Sequence, residues 1–293
     1  MAQIWRAEQV VGEELARALV REQFPSLRAG AVELVSSGWD YTVHRVDGDW
    51  AFRFPRREVV VAALRREVAV VPALAPLLPA PVSAAVHVGV PGERFPWPFY
   101  GARWLEGREA TLCGERAALA PQLGRFLRRL HDAAVPGLPV DVNGRADMRR
   151  RVPVTREALA AIGELWTAPP AVERLLDRAF ELPPPARLVT CHGDLHVRQL
   201  LVDGPRLTGV VDWVDVCLSD PGVDLMVVYA FLPPEARPAF FAEYGEAAAD
   251  SLLRARVLAL NLSAILARWA HAEDNRPVEE EALASLDRTL ADF

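Results

Sequence analysis

The chain has 293 residues, of which 51% are hydrophobic and 25% are charged, a composition typical of a folded globular protein. Its formal net charge of -6 argues against a nucleic-acid-binding protein, because such proteins are usually basic. All 33 basic residues are arginine, which excludes any chemistry that requires a Schiff-base lysine or a phosphate-loop lysine.

The cysteines and the N-terminal segment give expectations about the compartment. Cys113, Cys191 and Cys217 are far apart and form no C-x-x-C pair, which disfavours a disulfide framework or a zinc site. The first twenty residues carry charges throughout, and no run of about 18 uncharged apolar residues occurs, so neither a signal peptide nor a membrane span is expected. We therefore expect a cytoplasmic protein that binds neither nucleic acid nor membrane.

The first hundred residues predict a small region rich in β-structure. Apolar residues at helical spacing predict an amphipathic helix over residues 8–22, and a second helix is expected over 56–78. The dipeptide Asp47-Gly48 predicts the turn of a β-hairpin. Five strands are expected in total, over residues 31–35, 42–46, 50–54, 82–90 and 99–105.

Beyond residue 110 the pattern becomes mainly helical. A compact β-rich insert over 187–214 interrupts the helices, with strands at 200–202 and 207–211 around a turn at Asp203-Gly204. Helices are predicted over residues 115–134, 155–182, 252–272 and 278–292. The chain is therefore expected to form an N-terminal lobe, residues 1–104, and a larger helical lobe, residues 105–293.

The densest cluster of polar residues immediately precedes the hairpin of this insert. It contains Asp194 and Gln199, and Asp212 follows the second strand of the hairpin. Because paired strands lie about 4.8 Å apart, a hairpin can return the second carboxylate to the end where the first one lies. Two carboxylates and a carboxamide are oxygen ligands suited to Mg²⁺, and such a group suits phosphoryl transfer.

Two other interpretations of this cluster are open. Asp194 and Asp212 could be turn or cap residues without a chemical role. His192 and His196, four residues apart, could hold zinc, but this spacing requires a helix and a third ligand, and Gly193 disfavours the helix. We expect His192 to stabilise the loop by hydrogen bonding instead.

The motifs of this region resemble those of the aminoglycoside phosphotransferase family, small-molecule antibiotic kinases with a protein-kinase-like fold. The resemblance covers about residues 30–230 and is most specific over 191–225. The segments that carry it are His192-Gly193-Asp194-Leu195-His196, Val211-Asp212-Trp213 and Asp220-Pro221-Gly222-Val223-Asp224-Leu225, with looser matches at Ser36-Ser37-Gly38, Phe52-Arg53-Phe54-Pro55 and Glu67. It implies a two-lobed α+β protein-kinase-like fold. It also implies transfer of the γ-phosphoryl group of ATP or GTP, with Mg²⁺, to a hydroxyl of a small molecule.

The resemblance assigns roles to the residues of the second lobe. Asp194 would orient the substrate hydroxyl and accept its proton, with His192 beside it in the loop. Asp212 would bind the metal. Gln199 stands where the family usually has an asparagine, so it would supply the second metal contact through a longer side chain. Asp224 would hold the catalytic loop by accepting its hydrogen bonds.

The nucleotide side matches the kinase pattern less closely. A glycine-rich loop is absent, and only Ser37 and Gly38 stand at the expected phosphate turn, which could equally be an ordinary hairpin turn. Arg53 occupies the strand position where kinases carry a lysine, and it could chelate phosphate oxygens bidentately. Glu67 would be its helix partner. The alternatives are an exposed strand arginine and a surface ion pair within the helix.

The last strand of the first lobe leads into a candidate hinge. By resemblance, backbone groups near Arg103, Trp104 and Leu105 would contact the purine, although the aromatic residues here could equally belong to the core.

The acceptor is poorly encoded. An aminoglycoside or a macrolide antibiotic is expected, which would make the protein an antibiotic-resistance enzyme. A metabolic kinase acting on choline, homoserine, thiamine or a thio-sugar shares the same core motif. A catalytically dead nucleotide-binding protein is a third interpretation. Acidic residues that could line a cationic site, although most are expected on solvated helix faces, are Asp215, Glu243, Glu273 and Asp274.

Overall fold

The computed structural model describes residues 7–38, 40–141 and 143–293. The chain forms two compact units. The N-terminal unit comprises residues 7–76, 82–105 and 212–215, and the C-terminal unit comprises residues 77–81, 106–211 and 216–293. The lobe boundary expected between residues 104 and 105 stays a prediction. Asp212 belongs to the N-terminal unit, whereas the hairpin that precedes it in the chain belongs to the C-terminal unit.

The N-terminal unit is built on five antiparallel strands and two α-helices. Its strands are β1 (Val32–Ser37), β2 (Tyr41–Val46), β3 (Trp50–Pro55), β4 (Ala85–Gly89) and β5 (Phe99–Arg103). Its helices are α1 (Glu13–Gln23) and α2 (Val61–Leu74), the latter flanked by 3-10 turns at Glu58–Val60 and Ala75–Leu77. The strand order is β1-β2-β3-β5-β4, so β3 lies at the centre of the sheet.

The central strand β3 has different side chains on its two faces. Because successive residues of a strand point to opposite faces, Phe52 and Phe54 enter the aromatic core while Arg53 between them points to the other face. The hairpin that joins β2 to β3 turns at Asp47 and Gly48, whose φ angles of 51° and 79° are those of a type I′ turn. The turn predicted from Asp47-Gly48 is present, and its register sets which face receives Arg53.

The C-terminal unit is mostly helical and carries two small antiparallel sheets. Its helices are α3 (Arg116–Asp132), α4 (Met148–Ala160), α5 (Ala171–Phe180), α6 (Gly222–Ala230), α7 (Arg237–Tyr244), α8 (Ala249–Ala272) and α9 (Arg276–Leu290). Its strands are β6 (Arg108–Glu109), β7 (Val189–Cys191), β8 (Leu200–Asp203), β9 (Arg206–Val210) and β10 (Cys217–Ser219). One sheet has the order β6-β8-β9, and the other pairs β7 with β10.

The structure corrects one helix and adds others. The single helix predicted over 155–182 is wrong, because a segment with Pro169 and Pro170 separates α4 from α5. Helix α4 also begins earlier, at Met148, and the carboxylate of the preceding Asp147 caps it by accepting two backbone N–H groups. Helix α6 was not predicted, since burial of nearly all its residues leaves no polar face to give a helical period. In the described ranges, no helix combines the length and the apolar character needed to cross a membrane.

Candidate functional site

In the N-terminal unit, Arg53 joins two carboxylates. Its Nη1 donates to Oε1 of Glu67 over 3.3 Å, and its Nη2 donates to Oδ1 of Asp212. The guanidinium carbon lies 4.4 Å from the centroid of the Tyr41 ring, a cation–π contact that holds the plane of the group. The sequence-predicted residues Arg53, Glu67 and Asp212 are therefore brought together, although they are spread over 160 residues of the chain.

Glu67 is the centre of this network. Only 1% of the residue is exposed, and its Oε1 also accepts from Oη of Tyr100 at 2.8 Å and from the backbone N–H of Trp213 at 3.2 Å. Burial raises the pKa of Glu67 above its ordinary value, opposed by the charge of Arg53 and reinforced by that of Asp212. Glu67 thus ties α2 to β3, to β5 and to the segment 212–215.

The two tyrosines beside Arg53 provide a matched pair of variants. Tyr100→Phe removes a hydrogen bond to Glu67, whereas Tyr41→Phe removes a buried hydroxyl that has no hydrogen-bond partner in the described parts of the chain. We expect Tyr100→Phe to raise the nucleotide KM about 3- to 10-fold. A hydrogen bond to a charged group contributes about 1.5–3 kcal/mol. The effect on nucleotide binding should be smaller than this, because loss of the bond displaces Arg53 only partly. Tyr41→Phe should leave the KM unchanged. Equal effects from the two variants would contradict the network role of Tyr100.

Asp212 has an unusual backbone conformation. Its φ of 68° lies in the left-handed region, which aspartate tolerates better than most residues. Its side chain is 37% exposed, in contrast with the buried Arg53 to which it is paired. Strand β9 ends two residues before Asp212. The left-handed turn at Asp212 therefore directs its carboxylate away from the line of the strand. Asp212 is thus a carboxylate that is both charge-paired and accessible.

The candidate phosphate turn is a plain hairpin connection. Ser37 ends β1 and is exposed, and the backbone N–H of Gly38 donates to the carbonyl of Tyr41 at 2.9 Å. A Cβ added at Gly38 would meet no atom closer than 3.7 Å, so packing does not require glycine there. The predicted phosphate role of Ser37 and Gly38 stays a prediction.

The candidate hinge lies directly after β5. Arg103 stacks its guanidinium over the ring of Trp50, 4.0 Å from the centroid. The backbone N–H of Trp104 donates to the carbonyl of Asp49 at 2.8 Å, and Leu105 follows in irregular backbone. These contacts anchor the segment to the β2–β3 hairpin. A contact of Arg103, Trp104 or Leu105 with a purine stays a prediction.

In the C-terminal unit, Asp224 organises the loop that follows β7. The carboxylate is fully buried and accepts the backbone N–H groups of His192 at 2.8 Å and Gly193 at 3.0 Å. Burial alone would raise the pKa of Asp224, but the hydrogen bond from His131 and the charges and amides around it hold the pKa below its ordinary value. Gly193 has a φ of 92°, which a side chain would strain. The loop-holding role expected of Asp224 matches these contacts.

His192 helps to position the backbone of Asp194, two residues later in the loop. Its Nε2 lies 3.0 Å from the carbonyl oxygen of Val211, which can only accept, so Nε2 carries the proton. Its Nδ1 can then accept the backbone N–H of Asp194, at 3.3 Å. His192 therefore links the loop by a hydrogen bond to Val211, the residue that follows β9. This is the hydrogen-bonding role expected for His192, and it leaves neither ring nitrogen for zinc.

Asp194 presents two oxygens in different surroundings. Oδ1 accepts from Nη2 of Arg145 at 3.1 Å, whereas Oδ2 lies 3.8 Å from Nε2 of His196, beyond hydrogen-bond distance. The side chain is 27% exposed. Oδ2 is therefore the oxygen placed to receive a proton. Arg145 was not predicted from the sequence, because nothing distinguishes it there from the other arginines.

Gln199 carries a buried acceptor that suits a cation. The residue ends the 3-10 turn before β8, and its Oε1 is buried without a hydrogen-bond partner in the ranges described above. An unpaired buried carbonyl oxygen is costly unless a ligand completes it. A carboxamide oxygen is a ligand type that Mg²⁺ accepts, and the metal role of Gln199 and Asp212 stays a prediction.

One buried cluster in the described residues contains three potential metal ligands, His131, Cys191 and Asp224. Its members are already used as hydrogen-bonding groups. His131 bridges Asp224 and Tyr244, and burial raises the pKa of Cys191 well above its ordinary value, which disfavours a thiolate ligand. These side chains hold the loop in place through their hydrogen bonds, so we assign no metal to this cluster.

Comparisons with known proteins agree with this geometry. The model of the phosphotransferase enzyme family matches residues 31–260. The GDP complex of aminoglycoside 2′-phosphotransferase-IIIa superposes with a TM-score of 0.71 at 20% identity, covering 96% of this chain and 99% of that one. A macrolide 2′-phosphotransferase from Brachybacterium faecium gives 0.63 at 22% identity, with coverages of 94% and 98%. No curated protein sequence matches the chain. The protein-kinase-like α+β fold predicted from the motifs is confirmed by these superpositions.

Proposed function

Because the chain belongs to the phosphotransferase enzyme family, we propose that it transfers the γ-phosphoryl group of a nucleoside triphosphate to a hydroxyl group of a small molecule. The family and the phosphotransferase class predicted from the sequence are confirmed by the match over residues 31–260. The contact that carries the proposal is the ion pair of Arg53 with both Glu67 and Asp212. It joins a candidate phosphate ligand to a candidate metal ligand within one unit.

Asp194 would act on the acceptor. With Oδ1 paired to Arg145, its Oδ2 would accept the hydrogen bond of the substrate hydroxyl and take its proton as the oxygen attacks phosphorus. Asp224 and His192 support this step by holding the loop backbone on either side of Asp194. The carboxylate is thereby positioned before the acceptor arrives, so little of its orientation must be fixed during the reaction.

Asp212 and Gln199 would hold Mg²⁺, which supplies charge neutralisation at the nucleotide phosphates when bound. Arg53 would donate to phosphate oxygens from its fixed position over Tyr41. Because an arginine side chain stays charged at every relevant pH, this contact would not depend on a proton. Glu67 would keep the guanidinium in place between nucleotide-binding events.

We propose a class of nucleotide donor and two classes of acceptor. Solved relatives include complexes with GDP, with GDP and kanamycin, and with streptomycin and ATP, which supports ATP or GTP as the donor. An aminoglycoside or a macrolide is the first class of acceptor to test, and a metabolic alcohol such as choline, homoserine, thiamine or a thio-sugar is the second. The cytoplasmic location and the absence of nucleic-acid and membrane partners stay predictions.

Variants of Arg53 test the nucleotide half of the proposal. We expect Arg53→Ala to raise the nucleotide Kd at least about 10-fold, because a charge-assisted bidentate contact to phosphate is lost. Arg53→Lys should recover part of this, since a lysine serves the same phosphates in kinases. Calorimetric titration with Mg²⁺–ATP and Mg²⁺–GTP measures both effects. An unchanged nucleotide affinity in Arg53→Ala would contradict this assignment.

Experiments on the same protein preparation distinguish an active enzyme from a catalytically dead nucleotide-binding protein. Wild-type protein that binds Mg²⁺–nucleotide but forms no nucleoside diphosphate (ADP or GDP) over a panel of hydroxyl compounds would favour the dead protein. The matched control for Arg53→Ala is Arg57→Ala, which removes a neighbouring arginine paired with Asp40. Its nucleotide affinity should equal that of the wild type.

A further inference from the structure

In the C-terminal unit, a hydrogen-bond donor already contacts the carboxylate proposed to meet the substrate hydroxyl. Arg145 occupies Oδ1 of Asp194, so the carboxylate that meets the acceptor hydroxyl is already compensated by a positive charge. A site built for a polyamine would leave its carboxylates for the ligand's ammonium groups. The contact with Arg145 does the reverse.

Arg151 lies within electrostatic range of both Arg145 and Asp194, and it carries further donors. Nη1 of Arg151, on α4, lies 3.5 Å from Oδ1 of Asn261, on α8, so the amide of Asn261 is oriented with its oxygen toward the guanidinium. Only 4% of Asn261 is exposed, and its Nδ2 has no hydrogen-bond partner in the portion of the chain described. The Nε of Arg151 is likewise buried without a partner there. Both unpaired groups are N–H donors, so an oxygen acceptor completes them, and an anionic oxygen would in addition interact favourably with the charge of the guanidinium.

The charges around Arg151 are consistent with an anion. Burial lowers the pKa of Arg151, and the charge of Arg145 lowers it further, against the opposing charge of Asp141. Asp141 is itself used locally, since its two oxygens accept the backbone N–H groups of Arg145 and Ala146. Among the acids considered for a cationic site, Glu243 is paired with Arg125 at 2.8 Å.

We propose that Arg145, Arg151 and Asn261 form a subsite that binds an anionic group, a carboxylate or a phosphate, on the acceptor whose hydroxyl meets Asp194. This inference rests on the proposed phosphoryl transfer and, among the acceptors proposed for it, favours one that carries an anionic group over an aminoglycoside. Discrimination would arise from both signs of interaction. An anionic acceptor completes the buried donors, whereas a polyamine places like charges beside two arginines.

A matched series of sugars tests the charge preference. Glucosamine, glucose and glucuronate share a pyranose ring and differ in charge. The rate at which nucleoside diphosphate forms with each sugar, at equal concentration, therefore compares a cationic, a neutral and an anionic acceptor. We expect the highest rate and a thermal shift of the protein with glucuronate. Arg151→Met, which keeps the apolar stem, should raise the KM for glucuronate about 10- to 100-fold, and Arg151→Lys should recover part of the loss.

The control is Arg149→Met on the same helix, because the Arg149 side chain is 66% exposed and lies outside the cluster. Its KM for glucuronate should equal that of the wild type. Equal responses to the three sugars, including no response to any, or equal losses in Arg151→Met and Arg149→Met, would overturn the subsite. Mg²⁺–nucleotide binding measured in parallel keeps the two ideas apart. If binding is absent the proposed function fails, and if binding is present while the sugars are not distinguished only the subsite fails.

Discussion

Asp194→Asn is expected to lower kcat at least about 100-fold while nucleotide affinity stays near that of the wild type, because a carboxamide cannot accept the hydroxyl proton. Asparagine keeps the shape of the side chain and an oxygen that can still accept from Arg145, so the loop should remain folded. The measurement is steady-state transfer to an accepted hydroxyl compound, with calorimetric titration of Mg²⁺–nucleotide as the second readout.

The control for this variant is Asp203→Asn, at the end of β8, where the exposed carboxylate pairs with Arg206 at 2.5 Å. This change removes one negative charge from the same hairpin region without touching the loop, so kcat should be unchanged. A fall of less than tenfold in Asp194→Asn would mean that Asp194 is not the proton acceptor. A parallel loss of nucleotide affinity would mean that the variant acts through the fold.

Asp212→Asn should abolish measurable turnover and weaken Mg²⁺-dependent nucleotide binding by about 10²–10³-fold, since an ionised carboxylate is the strongest ligand of the proposed donor set. The substitution also removes the negative partner of Arg53. Nucleotide binding without metal should therefore change little or become tighter, because the guanidinium no longer has a competing carboxylate. This opposite response with and without metal is the signature of a metal ligand.

Gln199 gives a graded comparison with Asp212. Gln199→Leu removes the oxygen and should weaken metal-dependent binding more than Gln199→Asn, which keeps a carbonyl oxygen on a shorter side chain. Both should be milder than Asp212→Asn, because a carboxamide contributes a dipole and no net charge. Titration of nucleotide binding with Mg²⁺ and Mn²⁺ on the three variants checks the order. The same Mg²⁺ dependence in Asp212→Asn and wild type would refute the metal assignment.

The sequence was most informative where local chemistry decides the structure. The turns at Asp47-Gly48 and Asp203-Gly204 were predictable because glycine adopts positive φ readily, as Gly48 and Gly204 do here. The strands that follow these turns lead to Arg53 and to Asp212. The break between α4 and α5 was missed, although Pro169 and Pro170 were visible. The helical period on either side was stronger than the interruption.

Contacts between distant segments were the part that the sequence could not supply. Arg145 is one of many similar arginines, and only the fold brings it to Asp194. The hydroxyl of Tyr100 was in view as an aromatic of the hinge strand, but its bond to Glu67 depends on the register of β5 against β3, which pairs Tyr100 with Arg53. Asn261 lies in the middle of a long helix, where no local motif marks it.

The arginine at position 53 also determines how this enzyme can be detected. Reagents that deliver an activated nucleotide to a kinase usually form an amide with the amine that holds the phosphates. A guanidinium is protonated and a poor nucleophile at neutral pH, and the chain has no lysine elsewhere to react in its place. Amine-directed nucleotide probes and lysine-targeted covalent inhibitors should therefore find no side-chain amine to label in this enzyme. Any covalent inhibitor of the site would have to use reversible nucleotide contacts and bond to a side chain of another type.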